Sequence, residues 1–114
     1  MSTVTLGLSS VEDSKRRLGR AFKGERQGAF IAFETPALLW KTLTEKRWEI
    51  LRAMAGAGPL SIREVARRVG RDVKAVHGDV KALLETGVLD RAEDGGVVFP
   101  FDSIHVDFKL TTAA

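Results

Sequence analysis

Residues 61–101 have the sequence SIREVARRVGRDVKAVHGDVKALLETGVLDRAEDGGVVFPF, and this stretch carries the clearest structural pattern in the chain. It begins with the form S-x-x-E, in which the Ser61 hydroxyl accepts a hydrogen bond from the backbone N–H of Glu64. A helix is therefore predicted from Ile62. Its apolar residues recur at helical spacing: Ile62, Val65, Ala66 and Val69. Gly70 is expected to end this helix, because glycine adopts the left-handed conformation at little cost.

A second helix is predicted to follow Asp72, which is a favourable N-cap residue, and to end at Gly87. Its apolar residues also recur at helical spacing: Val73, Val76, Val80, Leu83 and Leu84. Two strands around a Gly-rich turn are predicted next, over residues 88–92 and 97–99. Helix, tight turn, helix and hairpin form the winged helix-turn-helix pattern. The predicted fold class is therefore α+β, a winged helix-turn-helix with strand and helix extensions at its N- and C-terminal ends.

The exposed positions of the second helix are the candidates for reading DNA, because in a helix-turn-helix they meet base edges in the major groove. Nearby arginines are candidates for phosphate contacts. Together the predicted DNA-binding residues are Arg63, Arg67, Arg68, Arg71, Lys74, Ala75, His77, Gly78, Lys81 and Arg91. Residues 61–81 carry six basic and three acidic side chains, which suits a polyanion. The same elements would also suit a module that binds another protein, and this alternative stays open.

Two features of this stretch differ from a generic DNA-binding winged helix. Gly78 occupies a mid-helix position, where glycine costs about 1 kcal/mol relative to alanine, and it could let the helix backbone come close to DNA. Glu93 and Asp94 make the tip of the hairpin acidic, which argues against its entry into a minor groove. Arg91, at the base of the hairpin, is therefore the better candidate for a phosphate contact.

The segments outside this stretch have strand and helix patterns of their own. Residues 4–8 and 104–110 alternate as half-buried strands do, and residues 29–33 are a short apolar run. A helix with a thin apolar stripe is predicted between the two N-terminal strands, residues 4–8 and 29–33. The chain is thus divided into an N-terminal strand-helix-strand arm, residues 1–34, and the winged helix-turn-helix with its C-terminal strand, residues 35–114.

A homodimer is expected from these terminal segments. Strands left at an edge invite pairing with another chain, and two-fold symmetry lets two reading helices meet successive major grooves. The predicted interface consists of apolar residues from the arm and the C-terminal strand: Val4, Leu6, Leu8, Leu18, Phe22, Ile104, Val106 and Phe108. The alternative is that the strands fold back on their own subunit and that the chain is a monomer.

Composition excludes several classes of function. The chain has 114 residues, about one domain, and no cysteine, which excludes disulfides and thiolate metal sites. His77 and His105 lack partners at metal-binding spacing, and no nucleophile elbow, Gly-rich phosphate loop or paired-carboxylate motif is present. We therefore expect no catalytic residue, no metal, no cofactor and no enzymatic activity. No membrane span or signal-peptide pattern is present either, so a cytoplasmic location is expected.

The chain resembles a family of short bacterial and archaeal predicted transcriptional regulators with a MarR-like winged helix, often encoded beside a toxin of the RelE ribonuclease type. The resembling stretches are residues 33–34, 43–51, 62–67, 70–72, 76–83 and 87–89. The resemblance implies sequence-specific binding of double-stranded DNA and repression of the protein's own operon. It also suggests that the chain is the antitoxin of a toxin-antitoxin pair, with a RelE-type toxin as its protein partner.

Overall fold

The computed structural model describes residues 2–8 and 29–108. Along these ranges the elements are β1 (Thr3–Leu8), β2 (Ala29–Phe33), α1 (Pro36–Thr42), α2 (Glu45–Met54), α3 (Ile62–Val69), α4 (Val73–Thr86), β3 (Asp90–Arg91), β4 (Val97–Val98) and β5 (Ser103–Asp107). The fold is mixed α+β, as predicted. The helix predicted in the N-terminal arm falls outside the described residues. None of the described helices is both long and apolar enough to cross a membrane.

Side-chain and glycine caps define the ends of the helices. The Ser61 hydroxyl accepts from the Glu64 N–H at 3.1 Å, which starts α3 at Ile62 as predicted. Thr44 caps α2 in the same way. Gly70, with φ of 67°, ends α3 in the left-handed conformation that the sequence predicted there. Both predicted ends of α3 are confirmed, because each depends on a residue within a few positions of the helix end.

Three of the described strands form one sheet in the order β2-β1-β5, with β1 in the centre. Both pairings are parallel, and they set Leu6 beside Ile31 on one side and beside Val106 on the other. The apolar alternation predicted for residues 4–8 is confirmed, since Val4 and Leu6 are fully buried. Ser2 links the beginnings of β1 and β5, because its carbonyl oxygen accepts a hydrogen bond from the Asp102 N–H at 2.8 Å.

The strands predicted to take part in a dimer interface pair with one another within the chain, as the alternative to that interface has it. β1 is the central strand, and its buried Val4 and Leu6 belong to the core of their own subunit. The other described interface candidates are also packed within the chain: Leu8, Ile104 and Val106 against the core, and Phe108 edge-to-face with the Trp40 ring at 5.9 Å. Leu18 and Phe22 fall outside the described residues. Pairing within the chain is favoured because it requires only loop closure, whose cost grows slowly with length.

One hydrophobic core joins the sheet to the helices. Its buried members are Val4, Leu6, Phe33, Leu39, Ile50, Leu51, Met54, Val65, Ala66, Val76, Val80, Leu83, Val88, Leu89, Val97 and Phe99. They come from both sides of the boundary predicted between residues 34 and 35. The N-terminal strands therefore share a core with the remainder of the described chain.

The hairpin β3–β4 follows α4 and is held against the start of α3. Leu60 and Val97 exchange two backbone hydrogen bonds of 2.8 Å each, so Leu60 forms an isolated antiparallel bridge with β4. The paired strands are shorter than predicted, and the turn is closed by the Ala92 N–H, which donates to the Gly96 carbonyl oxygen at 2.9 Å. A side chain at Gly96 would approach the Leu60 carbonyl oxygen to 2.8 Å, so glycine is required for this close passage.

Candidate nucleic-acid interface

The outward face of α4 carries the central part of the candidate interface. Val76 and Val80 are fully buried and define the inward face of the helix. Because each residue advances about 100° around a helix, Gly78 lies on the opposite side. Lys74 and Lys81 are exposed about one turn before and after it. The Asp72 carboxylate accepts from the Lys74 N–H at 3.0 Å and so caps the start of this face.

Two neighbouring pockets lie beside α4 and the hairpin and share Ile62 and His77, and we call them together the α4–hairpin groove. Its wider part is lined by Ser61, Ile62, Arg63, Val73, His77, Asp94, Gly95 and Gly96, and its narrower part by Ile62, His77, Val80, Lys81, Leu84 and Arg91. His77 belongs to both parts. The fold therefore brings four of the sequence-predicted residues to one concave surface: Arg63, His77, Lys81 and Arg91.

The acidic tip of the hairpin has a structural role. Asp94 Oδ1 accepts from the Gly96 N–H at 2.9 Å, which stabilises the turn. The same carboxylate lines the wider part of the α4–hairpin groove together with Arg63 and His77. Asp94 contributes negative charge at the tip of the hairpin, whereas Arg91 contributes positive charge at its base.

Arg67 and Arg68, two predicted phosphate contacts, share one carboxylate. Arg67 Nε donates to Glu64 Oε2 at 2.9 Å, and Arg68 Nε donates to Glu64 Oε1 at 3.0 Å. These hydrogen bonds, that of Arg67 first, lower the pKa of Glu64 to about 2. Glu64 is therefore ionised at neutral pH and offsets part of the arginine charge. Arg67 remains 72% exposed, so its guanidinium is still accessible to a ligand.

Arg71, another predicted DNA-binding residue, has an internal partner. Its Nη2 donates to Asp79 Oδ2 at 2.8 Å, and the other oxygen of Asp79 accepts from Arg47 Nε at 3.0 Å. Arg47 Nη1 also donates to the carbonyl oxygens of Lys41 and Thr42, at 3.1 and 3.0 Å. This cluster, Arg47, Asp79 and Arg71, ties α2 and the turn after α3 to α4. The cluster thereby fixes the position of α4 through contacts on its inward side.

Burial raises the pKa of Asp79, but the hydrogen bonds from Arg47 and Arg71 lower it by more, so it lies below its usual value. Sequence reasoning did not assign Arg47 or Asp79 to any site. One signal was available: Asp79 is three residues after Val76 and four before Leu83, on the buried side of α4. A carboxylate in such a position requires a cationic partner.

The predicted DNA-binding residues thus divide into three groups. Arg63, His77, Lys81 and Arg91 line the α4–hairpin groove, and Lys74, Ala75 and Gly78 are exposed on α4. Arg67 and Arg68 are paired with Glu64, and Arg71 with Asp79. In the described parts of the chain, no three acidic or histidine side chains are placed to hold a metal ion.

Comparison with known protein families shows where this chain is similar to one of them. A family model designated HVO_A0114 matches residues 42–106, more than half of the chain. The matched range runs from the end of α1 into β5, and so includes α3, α4 and the hairpin. No curated protein matches the sequence, and no solved structure does.

Proposed function

The chain belongs to the HVO_A0114 family, and from the geometry around α4 we propose that it is a winged helix-turn-helix protein that binds double-stranded DNA to regulate transcription. In this proposal α3 and α4 form the helix-turn-helix, α4 is the reading helix and β3–β4 is the wing. The protein acts by binding and not as an enzyme. Support comes from one juxtaposition: the exposed basic side of α4 and Arg91 of the hairpin border the same groove.

The α4–hairpin groove combines two kinds of contact that DNA recognition needs. Arginines at its border, Arg63 and Arg91, can bind phosphates and so set the position of the duplex. Lys74, His77 and Lys81 lie on the helix that would enter the major groove, where side-chain donors read N7 and O6 of guanine. The internal Arg47–Asp79–Arg71 cluster holds this helix without using its outward face.

Repression of the protein's own operon, association of two copies and pairing with a RelE-type toxin are further parts of the proposal. They follow from the resemblance to MarR-like regulators and from the two-fold symmetry of many helix-turn-helix sites. The identity of the neighbouring open reading frame tests the toxin directly. A neighbour without a ribonuclease sequence would remove the antitoxin role and leave DNA binding unaffected.

A second candidate function is a protein-interaction module that binds DNA weakly or not at all. It is favoured by an apolar groove between α2 and the start of β5. This groove is lined by Trp48, Leu51, Arg52, Ala55, Phe99, Asp102, Ser103 and Ile104, and Trp48 is 41% exposed. Exposed tryptophan beside apolar surface is typical of protein-binding sites. The two candidates differ in their response to salt and to substitutions on α4.

Substitution of Lys74, His77 and Lys81 by alanine is expected to weaken DNA binding strongly while leaving the fold intact. The three side chains are exposed, and each lost base contact costs about 1–3 kcal/mol. Affinity is measured by fluorescence anisotropy on a duplex selected by the wild-type chain from a pool with a randomised core. The double variant Lys41→Ala, Lys46→Ala is the control, since it removes equal positive charge from α1 and α2. Unchanged affinity in the triple variant would exclude α4 as the reading helix.

Salt dependence is expected to separate phosphate contacts from internal ion pairs. The logarithm of the association constant falls linearly with the logarithm of salt concentration, with a slope of about −0.9 per phosphate neutralised. Arg63→Ala and Arg91→Ala should each make this slope shallower by about one unit. Arg71→Ala should leave it unchanged, because its guanidinium is bound to Asp79. Association that is independent of salt would support the protein-interaction module instead.

A further inference from the structure

Nothing in residues 2–8 and 29–108 explains a glycine at position 78. Gly78 lies inside α4, and it is not among the described glycines with positive φ, which are Gly56, Gly58, Gly70, Gly87 and Gly95. A Cβ atom built on Gly78 would meet nothing within 4 Å in the described structure, whereas one on Gly96 would strike the Leu60 backbone. Neither backbone conformation nor crowding therefore requires glycine at position 78.

Glycine at this position weakens the helix that carries it. At a solvent-exposed position away from the helix ends, alanine is favoured over glycine because glycine loses more backbone freedom on folding. The chain thus has a less stable α4 than an alanine would provide, at an exposed position on the outward face of the helix. The absence of a side chain at an exposed helix position allows another molecule to approach the backbone closely.

The surroundings of Gly78 indicate the chemistry of that molecule. Lys74 and Lys81 flank it along the outward face, and His77 beside it lines the α4–hairpin groove. An apolar protein surface that approached Gly78 would also contact the ammonium groups of Lys74 and Lys81. Contact would remove water from these two charges, which is unfavourable. A polyanion gains from both of them.

We propose that the α4 backbone at Gly78 directly contacts the major-groove edge of a base pair in duplex DNA, while Lys74 and Lys81 extend past it on either side. The inference rests on the proposed DNA-binding function and adds a specific point of contact. Without a Cβ atom the helix can lie deeper by about 1.5 Å, the length of one carbon–carbon bond. At this distance Cα–H groups can contact base acceptors or a thymine methyl group.

Gly78→Ala is therefore expected to change stability and binding in opposite directions. The thermal midpoint rises by about 4 °C, because alanine favours the helix and its methyl group meets no other part of the described fold. Affinity for DNA falls by about tenfold or more, because the methyl group overpacks a close contact. A loss of affinity in a more stable protein cannot result from unfolding.

The experiment uses the full chain and a duplex selected by the wild type from a randomised pool, with thermal unfolding and anisotropy measured on the same samples. Glu85→Ala is the control, because it changes an exposed side chain seven residues further along the same face. The expected result is weaker binding by Gly78→Ala and undiminished binding by Glu85→Ala.

Several results would overturn the inference. If Gly78→Ala binds within about twofold of the wild type while Lys74→Ala weakens binding, the contact at Gly78 is excluded and the proposed function stands. If Gly78→Ala is less stable, or if Glu85→Ala loses as much affinity, glycine has no specific role in contact. If the wild type selects no duplex, the proposed function itself fails, and the contact with DNA fails with it.

Discussion

Asp79→Ala is expected to lower the free energy of unfolding by about 3 kcal/mol. The substitution leaves Arg47 and Arg71 without the carboxylate that both contact, and their side chains are only 20% and 19% exposed. Removing one member of a buried ion pair costs about 3–5 kcal/mol, because the remaining charge is desolvated and unpaired. Partial exposure of the cluster places the expected value at the lower end. The measurement is chemical denaturation, followed by circular dichroism.

A matched control for Asp79 is available on α3. Glu64 also accepts hydrogen bonds from two arginines, but Arg67 and Arg68 are more exposed, at 72% and 37% of their side-chain surface. Glu64→Ala should therefore reduce stability far less than Asp79→Ala, since exposed ion pairs contribute little. Equal stability of Asp79→Ala and the wild type would show that the Arg47–Asp79–Arg71 cluster does not hold α4 in place.

The stability that Asp79 provides should decrease as the pH falls into the acid range. Its pKa is lowered in the folded chain, so its contribution is fully present above the unfolded value of about 4 and is lost as pH falls through the folded pKa. Subtracting the profile of Asp79→Asn from that of the wild type isolates this contribution. A constant difference across the acid range would contradict the assignment.

Leu6→Ala should reduce the free energy of unfolding by about 2–5 kcal/mol, because it opens a cavity in the core. Leu6 is fully buried on the central strand β1, between Ile31 and Val106. The effect is intramolecular, so it should not depend on protein concentration. Leu38→Ala is the control: Leu38 is 44% exposed, and its removal should change stability much less.

Deletion of the N-terminal arm distinguishes a core strand from a dimer interface. A chain that starts at Glu34 lacks β1 and β2 and leaves β5 without its pairing partner. We expect it to lose cooperative unfolding. A truncated chain that is folded and monomeric, beside a dimeric full chain in sedimentation, would show instead that the arm serves mainly to join two copies.

Local elements were predictable because their determinants lie close together in the sequence. Ser61 and Gly70 define both ends of α3, and Asp72 and Gly87 those of α4. The exposed positions of α4 follow from its helical period alone. Most of the candidate DNA-binding set could therefore be chosen without a structure, including Lys74, His77 and Lys81.

The sheet order and the role of Arg71 could not be predicted in this way. β1 pairs with β5, which lies near the opposite end of the sequence. The apolar face of β1 is equally compatible with a second molecule. Similarly, Arg71 has the sequence signature of a surface cation, yet Asp79 binds it together with Arg47 from α2. In both cases the outcome depends on which distant groups the folded chain brings together.

By itself the sequence determined the α3–turn–α4–hairpin order, the ends of these helices and the outward position of Gly78, because helix caps and the helical period act over a few residues. Only the tertiary structure decided that β1 is a core strand and that Arg71 is an internal ion-pair partner. The physical reason is that strand pairing and ion pairing are satisfied by any partner of the right chemistry, and the fold selects which one is near.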